Sequence, residues 1–578
     1  MSRKLTPQST LENLKKEAKR WLRAIRDGVS EARARLERAL PGAPSEPGLR
    51  DVQHALAREH GLEGWTALTA QLTASRAETV PEVDPVGWFI RNACPDHHVR
   101  GGPAHVRAVH TAVRVLEHFP AVASHSLYTS IVCGDLEAVE RMLAERPAAA
   151  TQKGGPKGWE PILYLCFTRL PFDRVRANAV AIARALLDRG ADPNVYFMAG
   201  DSRYTPLVGA IGEGEEDRPP HPERDELVRL LLDRGAAPYD IQVIYNIHFH
   251  GNVLWFLKLM YEYSIKAGRQ TDWDDPDWRM LDMGNYGHGS DWHLGIAVRR
   301  NDLELAEWVL THGGNPNLPQ PRQHELRWRH SVYAEALRRG YDDMARLLVQ
   351  YGATPGGFVP GLKDRFAAAC LRLEREAARA LVKEHPELLR STEVIFEAAH
   401  RDRADVVGLL LELGMSPDVE DNTKQRPLHM AAYHDSVEVA RLLIERGAEI
   451  DPVEANWSNT PLGAAVYAQH QRMIGLLGAV SRDIWELTYV GNVHRVREVL
   501  LEDPARARVV WDGHNPLMWL PPEEESRAIE MARLLIEHGA DPTLRNREGE
   551  TPADRAYRLG MFDLAELLRM SRPVGRSG

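Results

Sequence analysis

The densest group of chemically capable side chains lies between residues 272 and 293. Asp272, Asp274, Asp275, Asp277, Asp282, His288, Asp291 and His293 stand there beside Trp273, Trp278 and Trp292. Carboxylates and imidazoles could coordinate a divalent cation, with His248 and His250 upstream as further ligands. The spacing matches no EF-hand loop and no His-Glu-x-x-His, however. A tryptophan-rich loop folding onto helices, its carboxylates in water, accounts for the same residues, and Trp273 and Trp278 then become candidate partner contacts. His97, His98, His105 and His110 lack the spacing of a tetrahedral site and read as solvated turn residues. Cys94, Cys133, Cys166 and Cys370 form no Cys-x-x-Cys pair, which argues against a zinc site or a disulfide framework and for a reducing compartment. No nucleophile elbow or phosphate-cradling glycine loop occurs in a suitable context. No residue is nominated as catalytic, and no metal or cofactor is expected.

The elements that would position any site are set by the stretch Gln425 to Asp451. Pro427 opens a helix where the missing N–H is harmless, and Leu428, Ala431 and Ala432 give it a thin apolar stripe. A turn at His434-Asp435 leads to a second helix, Val437 to Glu445, with Val439, Leu442, Leu443 and Ile444 facing inward. Gly447 stops it, because a positive φ is cheapest at glycine. Thr205-Pro206-Leu207, Thr460-Pro461-Leu462, Asn515-Pro516-Leu517 and Thr551-Pro552-Ala553 restate the opening, and Gly-Ala turns restate the close. Arg-Pro-Leu-His-x-Ala-Ala followed by Leu-Leu-x-x-x-Gly-Ala resembles the ankyrin repeat, with its period of about 33 residues. The resemblance implies an all-α, ankyrin-type helical solenoid of about 13 repeats over residues 126–570, interrupted by insertions 212–225 and 264–292. In that family the motif histidine, here His429, holds neighbouring turns by hydrogen bonds.

Residues 1–72 read as a small helical cap with a basic face (Lys15, Lys16, Lys19, Arg20, Arg23, Arg26). Residues 73–124 read as a linker plus a degenerate first repeat with helices at 86–94 and 104–119, and 571–578 as a disordered tail. The basic face is either the polar end-cap that solenoids need or a docking site for an anionic partner, DNA or RNA among them. A formal charge of −10 implies solubility rather than a nucleic-acid partner. No run of about 18 apolar residues and no apolar leader occurs, so a cytoplasmic, monomeric protein is expected.

Registering the repeats places one row of residues at the ends of the inner helices: Phe167, Phe249, His250, Arg299, Arg300, Arg338, Arg339, His400, Arg401, Tyr433, His434, Tyr467 and Tyr489. By the family resemblance this row, with the hairpin tips, contacts partners. Arginine forks match carboxylates and tyrosine gives area at low entropy cost, so the row is expected to hold an acidic, partly apolar protein or peptide. The expected function is a non-catalytic protein-interaction scaffold. The rival readings are a nucleic-acid-associated protein using residues 1–40, or a metal-dependent enzyme built on 264–293.

Overall fold

The computed structural model describes residues 11–26, 29–45, 47–65, 67–68, 84–95, 102–200, 202–212, 219–238, 240–250, 253–268, 289–317, 331–355 and 359–572. Trp273, Trp278, the linker 73–83, His97 and His98, and residues 573–578 of the tail lie outside them, as do the side chains of Phe249, His250 and Trp292. The chain divides into two compact units, Met1–Asp84 with Arg545–Glu550, and Pro85–Leu544 with Thr551–Gly578.

The smaller unit holds α1 (Leu11–Arg26), α2 (Ser30–Ala39) and α3 (Leu49–Glu59). Leu14, Ala18, Trp21, Leu22, Leu36, Val52 and Leu56 form its apolar interior. Arg35 lies 3.8 Å above the Trp21 ring and binds Glu59 at 2.6 Å and Glu17 at 3.0 Å. Lys19, Arg20, Arg23 and Arg26 are exposed on α1.

The larger unit is a helical repeat solenoid. It opens with α4 (Pro85–Ala93) and α5 (Gly102–His118). Inner and outer helices then alternate: α6 (Leu127–Val132) and α7 (Leu136–Glu145), α8 (Pro161–Phe167) and α9 (Asp173–Leu187), α10 (Pro206–Ile211) and α11 (Arg224–Asp233), α12 (Ile241–His250) and α13 (Val253–Lys266). The middle holds α14 (Gly289–Arg300) and α15 (Leu303–Thr311), α16 (Val332–Arg338) and α17 (Asp342–Gln350), α18 (Leu362–Leu371) and α19 (Arg375–Glu384), α20 (Thr392–His400) and α21 (Ala404–Glu412). The last third holds α22 (Pro427–Tyr433) and α23 (Val437–Glu445), α24 (Pro461–Tyr467) and α25 (Gln471–Gly478), α26 (Ile484–Tyr489) and α27 (Val493–Glu502), the outer helix α28 (Glu525–Glu537), and α29 (Pro552–Arg558) with α30 (Phe562–Met570). Before α28 the inner helix shrinks to a 3-10 turn, Pro516–Met518.

Local chemistry explains the boundaries. Thr205, Thr460 and Thr551 cap N-termini through their hydroxyls ahead of a proline. Gly190, Gly235, Gly352, Gly414, Gly447 and Gly539 end outer helices with φ between 81° and 99°. Inner helices stack on inner helices, as α22 does on α20 and α24. His429 is buried, its Nδ1 accepting the Arg426 N–H at 3.2 Å and its Nε2 within 3.1 Å of the Pro452 carbonyl. A two-stranded antiparallel hairpin, β1 (Phe197–Ala199) with β2 (Ser202–Tyr204), pairs Phe197 with Tyr204.

The apolar interior comes in two parts. One runs from Phe89 to Ala353 and the other from Phe366 to Leu568. Where they part, a cleft of about 580 Å³ is lined by Leu337, Ala368, Ala369, Ala377, Ala380 and Leu381.

The first helical pair departs from the expected arrangement. An outer helix of a solenoid keeps one face in water, yet α5 has no exposed residue between Gly102 and Leu116. It packs on α4 on one side and on α24 on the other. His105 is therefore buried and His110 half-buried on a helix, in place of the solvated turns expected for them.

Candidate functional site

The row of inner-helix ends was expected to face a partner. Phe167 is 1% exposed and packs on Trp159 and Phe197, at 5.5 and 5.2 Å between ring centres. Tyr489 is also buried, beneath α5. Neither can meet a partner as the molecule stands, because the apolar rings are what the neighbouring elements close upon.

The arginines of the middle units converge, but on carboxylates of this chain. Glu335, 4% exposed, binds Arg338 at 3.1 Å and also Arg339. Arg339 reaches two units along to Glu397, which also binds Arg401 at 2.6 Å and accepts the Tyr341 hydroxyl at 2.6 Å. Arg338 lies 3.5 Å from Asp364 and 3.4 Å from Glu393. Arg401 donates to the Arg299 carbonyl at 2.7 Å and lies 4.5 Å over the Tyr341 ring. Burial raises the Glu335 and Glu397 carboxyls, but the arginines outweigh it and hold both below the usual range. Arg338, Arg339 and Arg401, read from the sequence as contacts for an acidic ligand, thus each bind a carboxylate of this chain. The signal was one helical turn upstream: Glu335 precedes Arg338 and Arg339 by three and four residues, and Glu397 precedes Arg401 by four. Further along, His400 stacks on His434 at 3.9 Å, and Tyr433 on Tyr467 at 6.4 Å.

In the last units the row is covered by α5. The Pro103 carbonyl accepts the Tyr489 hydroxyl at 3.2 Å, and Arg107 lies 5.8 Å from the Tyr489 ring. Arg114 donates to the carbonyls of Leu559 at 3.1 Å, Glu523 at 3.2 Å, and Pro522. The segment before α28 therefore supplies acceptors for α5 through Pro522 and Glu523. From α4, Trp88 donates to the Arg558 carbonyl at 3.3 Å and stacks on Tyr557 at 6.0 Å; His118 meets Phe562 at 4.3 Å.

Beneath α5, burial pushes the Glu486 carboxyl up to about 8, with Asp483 adding to the rise and Arg107 opposing it. A raised folded pKa favours folding below the unfolded value and loses that advantage as pH climbs to the folded one. Glu486→Gln should therefore stabilise the protein over wild type by about 1–3 kcal/mol at pH 8, and by nothing near pH 4. Paired thermal melts at the two pH values check this.

Within the row Tyr433 and His400 are exposed, and large apolar side chains are also exposed on the hairpin tips between units. Trp457 is 84% exposed, with Val453 55% exposed beside it. Its loop is not slack. Buried Glu454 accepts the backbone N–H groups of Asn456 and Trp457 at 2.7 Å and of Asn459 at 3.2 Å. The Ala455 N–H crosses to the Thr423 carbonyl of the preceding tip at 2.7 Å. Two units on, Trp511 (60% exposed) and Val510 (57%) flank an Asp512-Gly513 turn with φ of 51° and 79°, closed by reciprocal Trp511–His514 backbone bonds. Asp-Gly is the pair such a two-residue turn demands. Tyr196 and Met198 project from the β1–β2 tip. The row of inner-helix ends passed over these loops because they have no common motif.

A family model described as "Ankyrin repeats (3 copies)" matches residues 365–454 and 395–485. The chain carries ankyrin repeats. Over 454 residues it is 22% identical to the ankyrin repeat and KH domain-containing protein mask-1 of Caenorhabditis elegans, a match covering 68% of this chain and 16% of that protein. Over 206 residues it is 27% identical to the human ankyrin repeat and SOCS box protein 16, covering 35% and 42%. A shorter match, 36% over 95 residues, is to the serine/threonine-protein kinase VIK of Arabidopsis thaliana, covering 16% and 22%. The chain spans less than half the length of each of these relatives. Ankyrin repeats are in general protein–protein interaction modules, and the open tips described above are part of this chain's ankyrin stack. Among the described residues, no three or more His, Cys, Asp or Glu side chains gather as a metal site, and no helix is long and apolar enough to cross a membrane.

Proposed function

We propose that the chain is a non-catalytic interaction scaffold whose ankyrin tips, anchored by Trp457 and Trp511, hold a protein partner. The observation that carries this reading is the near-complete exposure of Trp457 on a loop fixed by the buried Glu454 carboxylate. Holding a large apolar ring in water has no stabilising role in the free protein, while a rigid aromatic loses little entropy on binding and is a typical energetic anchor. Trp511 lies two stacking steps away, at about 8–10 Å per step, so one partner surface can span both. All four cysteines are buried and none is in a disulfide, which agrees with a reducing compartment.

Replacing both tryptophans by alanine should weaken the captured partner by at least about 2 kcal/mol, roughly 30-fold, with unchanged helicity and melting temperature. Affinity capture from the native cell, followed by titration of the purified partner against wild type and variant, measures it. Equal affinity for both proteins would remove the tips as the binding edge.

A further inference from the structure

The seat of α5 has the character of a binding surface rather than of an interior. The two apolar interiors stop on either side of it: Phe89, Ala112 and Val115 belong to the first, while Val466, Tyr489 and Leu564 belong to the second. What crosses between them is largely polar or aromatic: Arg114 on three carbonyls, the Tyr489 hydroxyl on Pro103, Trp88 on Arg558, and ring contacts with Tyr557 and Phe562. The backbone comes close at the start of α5, where a β-carbon on Gly102 would lie 2.7 Å from the Tyr467 carbonyl oxygen. From Tyr467 to Leu559 the helix thus runs along the inner-helix ends of four successive units.

The spacing on α5 fits that seat. Arg107, Thr111, Arg114 and His118 recur at four, three and four residues and share one face, so the two arginines stand two helical turns apart, about 10.5 Å. One meets the ground of Glu486 and Tyr489, and the other the carbonyls of Pro522, Glu523 and Leu559. Both ends of the seat offer acceptors. Asp483, which caps α26, and Arg107 on α5 are the charged groups acting on the Glu486 carboxyl.

We propose that the inner-helix ends of the last four units form a helix-docking surface, that α5 is its built-in and releasable occupant, and that a partner helix with arginines seven residues apart docks there by displacing α5. This goes beyond the tip-edge reading and stands independently of it, since Trp457 and Trp511 take no part.

The test uses the full chain and a fluorescent peptide of residues 102–118 as probe. Arg114→Glu and, separately, Trp88→Ala should loosen α5, seen as at least 10-fold faster amide exchange over 102–118, and should bind the peptide at least 10-fold more tightly than wild type. An Arg114→Cys, Gly560→Cys pair provides the locked form, because a β-carbon at 560 would lie 3.1 Å from that of Arg114, close to disulfide reach. The native thiols at 133, 166 and 370 are buried and pushed up to about 11, 12 and 12, which keeps them unreactive. Peptide binding should vanish in the oxidised pair and return on reduction. Unchanged exchange in both loosened variants, equal binding to oxidised and reduced pair, or no binding to a chain whose α5 exchanges freely would each overturn the proposal.

Discussion

Replacing Glu397 by glutamine is expected to cost about 2–4 kcal/mol of stability at pH 7. The carboxylate is shared by Arg339, Arg401 and the Tyr341 hydroxyl, and its side chain is 18% exposed. Removing one partner of a mostly buried pair leaves the others desolvated without compensation, which costs several kcal/mol when fully buried and less where water reaches. Glutamine keeps the shape and loses the charge, so packing changes little. The sign with pH follows from the depressed pKa of Glu397. The stabilisation is present above the unfolded carboxylate value and disappears as pH falls through the folded one. Wild type and variant should therefore converge in acid and differ most at neutral pH. Denaturant titrations at pH 3 and pH 7 would read the two limits, and an equal gap at both would refute the charge-based account.

Arg169→Met is expected to cost about 3–5 kcal/mol. Arg169 is 7% exposed and donates to the carbonyls of Cys166 at 2.9 Å, Thr168 at 2.8 Å, Pro219 at 2.7 Å and Gly209. Methionine fills the volume but strands those acceptors. Pro219 is where the acidic insertion returns to the stack, next to His221, whose imidazole burial holds down at about 3. The damage should therefore concentrate in 209–212 and 219–223, seen as loss of amide protection there before the rest of the chain. Uniform loss along the chain would contradict the anchoring role.

Helix pairs and turns were legible because each carries a local signal: proline at the first turn, glycine at the last, apolar residues between. Even the degenerate pair read as 86–94 and 104–119 stands at Pro85–Ala93 and Gly102–His118. The row of inner-helix ends was legible as a line of contacts. What fills it was not, because Arg339 and Glu397 are neighbours only once the units stack, and nothing near Arg114 in sequence announces Leu559, 445 residues away. Part of this could have been read. Glutamates one turn before the arginines predict internal neutralisation. A helix with Ala108, Ala112 and Val115 on one side and aromatic or basic residues on the other has no face suited to water alone. The tip tryptophans were passed over because exposure depends on loop geometry, which Glu454 fixes through backbone bonds that any acidic residue could have seemed to leave unused.

The division of the apolar interior near residue 360 bears on how the protein comes apart. Cooperative melting requires a continuous interior, and in stacked repeats each boundary that lacks one lowers the coupling between its two sides. Residues 89–353 and 366–568 are therefore expected to unfold in two steps, over which a single midpoint would average. Because α5 belongs to the first interior yet rests on the last units, loosening the last repeats should free α5 before the remainder of the first block gives way.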